Sequence, residues 1–471
     1  MRKLFGTDGV RGVAGEVLTA ELALRLGRAV TQEATAQGAG DRERPAPRVL
    51  VIRDTRESGE MLESALAAGV ASAGGEVLLG GVLPTPAAPL LLGRYGFDVA
   101  VVISASHNPY RDNGIKFFGA DGFKLSDAAE LAIEKRLDTG GCSSADPASG
   151  SVELEPPAVG GVAPAVGGVA PAVGRIRTLQ GTHEDYVRAL HTRFAALDLT
   201  GLDVVLDCAN GSTHRAAPEI FRRLGAEPVV IADAPDGRNI NDGCGSTHVD
   251  ALAEVVTAGG HALGFAFDGD GDRLLAVDRH GAVVDGDELI ALAALHLKAE
   301  GRLTGDGVAV TVMTNYGFFG AMEAAGVQCA TTKVGDRYVL EELRARGWSL
   351  GGEQSGHIID MGFVASGDGI AAALLTLEAL AGGDLADRHA MRKLPQRLVN
   401  VPVGDRDAVM AAGELTTAAD AANAELAGRG RVLVRPSGTE QLVRVMVEAP
   451  SREETDAVCA ALVALVERLA R

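Results

Sequence analysis

GFAFDGDGDRLLAVD, residues 264–278, sets two apolar runs on either side of an acidic turn punctuated by glycine. GFAFD (264–268) and LLAVD (274–278) have the length and composition of buried strands. In an extended reading of the turn, Asp268, Asp270 and Asp272 at i, i+2 and i+4 point to one side, while Gly269 and Gly271 relieve backbone crowding. Converging hard oxygen donors on a sharp loop suit Mg²⁺. An EF-hand fails at its sixth and twelfth positions, where Arg273 and Arg279 stand in place of Gly and Glu. The other reading is an acidic turn facing solvent, which the apolar flanks disfavour.

Outward from this pair, strand and helix signals alternate along the chain. A helix from Thr19 to about Ala36, capped by Thr19 and carrying Leu22, Leu26 and Val30, precedes a buried strand at Val49 to Ile52. Helical composition at Glu60 to Ala73 and strands at Glu76 to Leu79 and Val99 to Ile103 complete a first α/β domain, 1–138. Residues 139–175 break the pattern with AVGGVAP at 158–164 and again at 165–171; Gly and Pro in each repeat oppose a helix and predict a flexible insertion. A second domain, 176–281, has strands at Val204 to Leu206 and 228–231 and a helix at 215–224. A third, 282–395, has helices at 287–299 and 338–346 around a strand at 308–313. Pro395, Pro402 and Gly404 mark a hinge into a fourth, 396–471. There Arg431 to Val434 and Leu442 to Val447 read as strands. Ser451 and Glu454 form a capping box before a helix with Val458, Leu462, Leu465 and Leu469 on one face.

The totals agree with several globular domains: 471 residues, 46% apolar and 23% charged, against roughly 100–200 residues per domain. A net charge of −19 opposes binding to a nucleic-acid backbone, which needs many cationic contacts. No window reaches the roughly 18 apolar residues of a membrane helix, and the start MRKLFGTDGVRG lacks the apolar stretch of a secretory leader, so no membrane and a cytoplasmic location are expected. Cys142, Cys208, Cys244, Cys329 and Cys459 are odd in number and scattered without a CxxC pair. Neither a disulfide framework nor a thiolate zinc site follows.

Further polar motifs punctuate the chain. Ser104-Ala-Ser106-His107-Asn108-Pro109 follows directly on a strand, where a serine faces the crevice at the strand's carboxyl end and is a candidate nucleophile or phosphorylated residue. The same residues would also make an ordinary turn. A Gly-x-Ser-x-Gly elbow is absent, which weakens acyl hydrolysis. Lys116 lies close by in sequence, as a mobile cation or proton-transfer group, or equally as a plain surface charge. Gly6-Thr-Asp8-Gly-Val-Arg11-Gly12 is a polar loop with the wrong spacing for a dinucleotide fingerprint. Thr332-Lys333-Val-Gly-Asp336-Arg337 and Gly351-Gly-Glu353-Gln-Ser355-Gly-His357 are polar, glycine-punctuated loops: Glu353 and Ser355 could bond sugar hydroxyls, with His357 as a hydrogen-bonding or proton-transfer candidate, and either loop could equally be an ordinary turn. Arg435-Pro-Ser437-Gly438-Thr439-Glu440, followed by Arg444, combines a bidentate anion donor with hydroxyls and lacks the Gly-Lys-Ser/Thr of an ATP loop.

Taken in order, GTDGVRG (6–12), SASHNPYRDNGIKFFG (104–119), DGDGDR (268–273), TKVGDR (332–337), GGEQSGHI (351–358) and RPSGTE (435–440) closely resemble the α-D-phosphohexomutase superfamily. The likeness covers nearly all the chain outside 139–175 and is strongest toward bacterial members acting on an amino sugar. It implies an α/β fold of four domains around a central cleft, three related mixed α/β domains plus a smaller α+β carboxyl-terminal one. It also implies conversion of α-D-glucosamine 6-phosphate to the 1-phosphate through a hexosamine 1,6-bisphosphate, a step toward amino-sugar and cell-wall precursors.

By the same resemblance Ser106 is the phosphoserine, and Asp268, Asp270 and Asp272 with the Ser106 phosphate are Mg²⁺ ligands. Lys116, Arg11, His107 and Arg273 then match residues that stabilise the transferred group or assist proton movement, with the general base left open among them. Glu353 and Ser355 match sugar-hydroxyl contacts, Lys333 and His357 join them as substrate-binding residues, and Arg435, Ser437, Gly438, Thr439 and Arg444 match the site for the non-reacting phosphate. The implied partner is a phosphorylated amino sugar, with glucose or mannose phosphate as the alternative and both monomer and homodimer open. Gln354 favours the amino sugar in this comparison. Gln441 stands where the family very often has proline, a change that offers an extra hydrogen bond at some cost in loop stiffness.

Overall fold

The computed structural model describes residues 4–6, 8–38, 46–139, 173–437 and 440–471. They form two compact bodies, Met1–Gly281 with Phe363–Ala371, and Ala282–Gly362 with Ala372–Arg471. Thr7, Cys142, Gly438, Thr439 and both AVGGVAP repeats lie outside the described residues.

The first body holds two sheets. Strands β1 (Val10–Val13), β2 (Arg48–Arg53), β3 (Glu76–Val82), β4 (Val99–Ile103), β5 (Asp112–Gly119) and β6 (Arg175–Thr178) order as β1-β5-β4-β2-β3-β6, with helices α1 (Ala20–Ala36), α2 (Ser58–Ser72), α3 (Ala87–Tyr95) and α4 (Asp127–Thr139). After α5 (Thr182–Arg193), the second sheet orders within this body as β10-β9-β7-β8. Its strands here are β7 (Val204–Asp207), β8 (Val229–Ile231), β9 (Leu263–Phe267) and β10 (Leu274–Asp278), and its helices are α6 (Ala216–Arg223) and α7 (Asp250–Gly259).

The second body begins with the short strand β11 (Val283–Val284), and its β12 (Gly307–Thr311), β13 (Gln328–Thr332), β14 (Leu350–Gly352) and β15 (Ile358–Asp360) order as β13-β12-β14-β15. Helices α8 (Gly286–Ala299), α9 (Tyr316–Ala324), α10 (Asp336–Arg346) and α11 (Gly369–Leu380) accompany them in sequence. The last sheet, β16-β18-β17, is wholly antiparallel: β16 (Gln396–Pro402), β17 (Arg431–Pro436) and β18 (Leu442–Glu448), with α12 (Arg406–Ala411), α13 (Gly413–Leu426) and α14 (Arg452–Leu469).

One four-strand plan occurs three times. β5-β4-β2-β3, β10-β9-β7-β8 and β15-β14-β12-β13 each carry three parallel strands and an antiparallel return strand at one side. The hairpins joining the last parallel strand to the return strand are β4 to β5, β9 to β10 and β14 to β15. They hold the serine, the carboxylate and the Glu353–His357 motifs respectively. Each motif therefore sits at the carboxyl edge of a parallel sheet, where a crevice forms.

Local sequence accounts for most elements. Thr19 Oγ1 accepts from Leu22 N at 3.2 Å, and α1 buries Ala23, Leu26, Val30 and Ala34 at helical spacing. Every residue of β4 and of β9 is buried, each full aliphatic burial being worth about 1.5–3 kcal/mol. Cys208, Cys244 and Cys459 are buried free thiols and Cys329 is half-buried. No helix among the described residues is long and apolar enough to cross a membrane.

Three expectations need correction. Residues 175–178, expected to straddle the insertion and the second domain, pair with β3 at the edge of the first sheet. The GTDGVRG segment runs into an edge strand, β1, paired with β5. The face of α14 centres on Thr455, Cys459, Leu462 and Val466, with Val458, Leu465 and Leu469 on its flank, because the sheet beneath fixes the helix rotation. Ser451 Oγ accepts from Glu454 N at 3.2 Å, and the Glu454 carboxylate pairs with Arg429.

Candidate active site

In the first body the serine and carboxylate hairpins meet. Ser106 Oγ donates to Asp268 Oδ2 at 2.6 Å. Both residues are fully buried. Oxygens of Asp268, Asp270 and Asp272 lie within 4.8 Å of one another. Their convergence comes from a turn, closed by Gly271 N donating to Asp268 O at 3.1 Å with Gly271 at φ 71, rather than from the extended alternation expected. At Gly269 a Cβ would lie 2.7 Å from the Ser106 carbonyl oxygen, so glycine there lets the two hairpins touch.

Like charges so close repel by roughly 4 kcal/mol per pair in a partly polarisable interior. Burial first, then Asp272 and Asp270, hold the Asp268 carboxyl well above the usual range. Asp270 Oδ2 takes Lys116 Nζ at 2.8 Å and Thr85 Oγ1 at 2.6 Å, while its buried Oδ1 has no partner among the described residues. An orphaned carboxylate oxygen among three hard donors is the donor set that a divalent cation such as Mg²⁺ satisfies.

Lys116 is neither mobile nor on the surface. It lies on β5, 1% exposed, with Nζ 2.8 Å from Asp270, 3.1 Å from Asp8 and 3.6 Å from Asp272. Burial alone would favour its neutral form, but these carboxylates hold it protonated. Asp8 also pairs with Arg11 and Lys124, and the three cations overcome burial to keep its carboxyl low. His107 Nδ1 is 3.4 Å from Ser106 Oγ. Burial, then Arg273 and Arg11, push the imidazole down to about 4, leaving it neutral at neutral pH. Arg273 N donates to Asp268 Oδ1 at 3.2 Å.

In the second body, Glu353 and His357 are buried in the β14–β15 hairpin. Glu353 Oε1 accepts from Gly335 N at 2.9 Å, which ties the TKVGDR loop to the hairpin, and His357 Nε2 lies 3.7 Å from Asp336. Lys333 and Ser355 are exposed, with Lys333 5.9 Å from the Tyr338 ring centroid. Gln354 donates through Nε2 to Asp285 Oδ2 at 3.1 Å and Gln396 Oε1 at 3.5 Å, so its amide is engaged with the protein.

Arg435 and Arg444 are cross-strand partners on β17 and β18. Arg444 Nε is buried with no hydrogen-bond partner among the described residues. Burial, then Arg444, lower the Arg435 guanidinium. Two adjacent guanidiniums, one with an unmet buried donor, suit a phosphate. Ser437 is buried and its Oγ accepts from Glu440 N at 3.3 Å. Gln441 Oε1 accepts from Arg406 N at 3.3 Å, the extra bond its side chain offers in place of proline. Gly438 and Thr439 lie outside the described residues.

Sequence reasoning missed Asp8, Thr85, Lys124, Arg56 and Asn241. Arg56 carried a legible signal: Arg53-Asp-Thr-Arg56 follows a buried strand as directly as Ser104 does. Asn241 carried none, since its relation to Ser106 is purely tertiary.

Comparison with known proteins matches four phosphoglucomutase/phosphomannomutase family models: α/β/α domain I over residues 2–141, domain II over 184–281, domain III over 285–398 and the C-terminal domain over 398–465. A protein of Moorella thermoacetica named phosphoglucosamine mutase is 50% identical over 465 residues, 98% of each chain. One of the same name from Heliobacterium modesticaldum is 49% identical over 476 residues, 99% of this chain and 100% of that one. The crystal structure of a phosphoglucomutase/phosphomannomutase family protein from Burkholderia thailandensis shares the fold with a TM-score of 0.77 at 24% identity, covering 98% of this chain and 97% of that one.

Proposed function

The chain belongs to the phosphoglucomutase/phosphomannomutase family of phosphohexomutases, and from that membership we propose that it interconverts α-D-glucosamine 6-phosphate and α-D-glucosamine 1-phosphate. Its enzyme class, an isomerase that moves a phosphoryl group, comes with the family. The amino-sugar substrate is supported by the names of its relatives at 50% and 49% identity over nearly whole chains. The observation that carries the chemistry is Ser106 Oγ donating into a buried carboxylate trio.

In the proposed cycle phosphorylated Ser106 meets a sugar hydroxyl. The hydroxyl oxygen forms a bond to phosphorus, the bond from phosphorus to Ser106 Oγ breaks with its electron pair staying on Oγ beside the cationic groups, and the hydroxyl proton leaves to an imidazole, His107 or His357. The product is the 1,6-bisphosphate. After it turns over, its other phosphoryl group returns to Ser106 and the proton returns to the released sugar oxygen. Asp268, Asp270, Asp272 and the serine phosphate would hold Mg²⁺, which neutralises charge on the transferred group. Lys116, Arg11 and Arg273 place further positive charge there. Glu353, Ser355 and Lys333 would contact the sugar. Arg435, Ser437 and Arg444, with Gly438 and Thr439, would hold the phosphate that does not react.

The test supplies glucosamine 6-phosphate, Mg²⁺ and a trace of hexose 1,6-bisphosphate, and follows glucosamine 1-phosphate and free phosphate together. Isomer without net phosphate release is expected, with Ser106→Ala inactive. Faster turnover of glucose or mannose phosphate would displace the amino-sugar assignment, and near-parental activity in Ser106→Ala would remove Ser106 from its role.

A further inference from the structure

Arg56 is wholly buried, and its guanidinium is engaged entirely within the protein. Nε donates to Asp54 Oδ2 at 2.9 Å. Nη2 donates to the carbonyls of Ser106 at 2.9 Å and Asn108 at 2.8 Å. Nη1 donates to the carbonyls of Asp112 at 3.0 Å and Pro109. Burying this cation costs several kcal/mol unless its donors are met, and four of its five contacts are carbonyls of the segment that carries Ser106.

That segment needs holding. Ser106 sits at φ 55, a left-handed conformation that crowds any residue with a Cβ. Its peptide is gripped on both sides. Ser106 N donates to Ser104 Oγ at 2.9 Å, and Ser104 Oγ donates to Asp54 Oδ2 at 2.6 Å, the oxygen that also takes Arg56. From the second sheet's domain, Asn241 Nδ2 donates to the same Ser106 and Asn108 carbonyls, at 2.9 and 3.1 Å.

We propose that Arg56, anchored by Asp54 and matched by Asn241, is a positioning residue that keeps Ser106 in the left-handed conformation aiming Oγ at Asp268. This rests on the reading of Ser106 as the phosphoryl carrier. With the clamp loosened, the Ser106 backbone relaxes, Oγ leaves the Asp268 contact, and phosphoryl transfer slows. Sugar-phosphate binding, assigned to other residues, changes little.

The test uses full-length parent, Arg56→Lys, Arg56→Ala and Asn241→Ala. It measures the folded fraction by circular dichroism, Ser106 phosphorylation by peptide mass after glucose 1,6-bisphosphate, and kcat and KM per folded molecule. Arg56→Lys is expected to lose about 100-fold in kcat, the scale of an ångström-level misplacement, with KM within about threefold. Asn241→Ala is expected to lose less, about three- to tenfold, as a neutral pair of bonds. Millimolar guanidinium should restore part of kcat to Arg56→Ala and leave the parent unchanged. Parental kcat in folded Arg56→Lys would overturn the proposal, as would a loss confined to KM or to the folded fraction. If Arg56→Ala does not fold, the other two variants decide. An unphosphorylated parent would sink the carrier reading and the positioning role with it, an outcome distinct from normal loading and turnover in the variants.

Discussion

Arg435 and Arg444 stand directly opposite each other on neighbouring antiparallel strands, two like charges in one cross-strand pair. Such a pair costs roughly 0.2–1 kcal/mol relative to a neutral one, and an anion between them reverses the sign. Inorganic phosphate should therefore raise the melting temperature of the parent. Arg444→Met should melt slightly higher without phosphate, lose most of the phosphate response, and show a raised KM for sugar phosphate. An undiminished phosphate response in Arg444→Met would place the anion elsewhere.

The orphaned oxygen of Asp270 makes the carboxylate trio the test of metal dependence. Chelation should abolish isomerisation, with Mg²⁺ restoring it. Asp270→Asn should reduce turnover by at least about 100-fold, the scale of losing one preorganised electrostatic group, and should weaken Mg²⁺ affinity measured by calorimetry. Unchanged affinity in the variant would detach Asp270 from the metal.

Lys116 is the internal counter-ion of three carboxylates. Lys116→Met removes one partner of a buried network and leaves its charges uncompensated, a loss of about 3–5 kcal/mol. The metal-free variant should unfold at markedly lower urea concentration than the parent. Mg²⁺ should stabilise it more than it stabilises the parent, because a cation then replaces the missing charge. Equal Mg²⁺ responses would contradict the network.

Asp287 on α8 is fully buried, and burial followed by Asp285 pushes its carboxyl up to about 7. The unfolded chain releases this proton near pH 4. The folded protein keeps it to about pH 7, so the contribution to stability is complete below pH 4 and is lost as the pH rises through 7. Asp287→Asn stays neutral and its amide oxygen can still accept from Asn315 N. Relative to the parent, the variant should gain about 2–3 kcal/mol between pH 5 and 8.5. Parallel stability curves would show that the carboxyl is ionised throughout.

What the sequence by itself determined is local or compositional. Alternating apolar runs placed the buried strands at 99–103 and 274–278, Thr19 and Ser451 placed helix starts, and glycine between acidic residues marked the carboxylate turn. These signals survive because periodicity and capping act within a few residues. Tertiary structure decided the rest: the Ser106–Asp268 bond across 162 residues, the burial of Lys116, the Arg435–Arg444 register and the grip of Arg56 and Asn241 on one loop. It also turned Gln354 toward Asp285. Which hairpins meet depends on strand order and on how sheets dock, and a linear pattern of apolar and polar residues encodes neither directly.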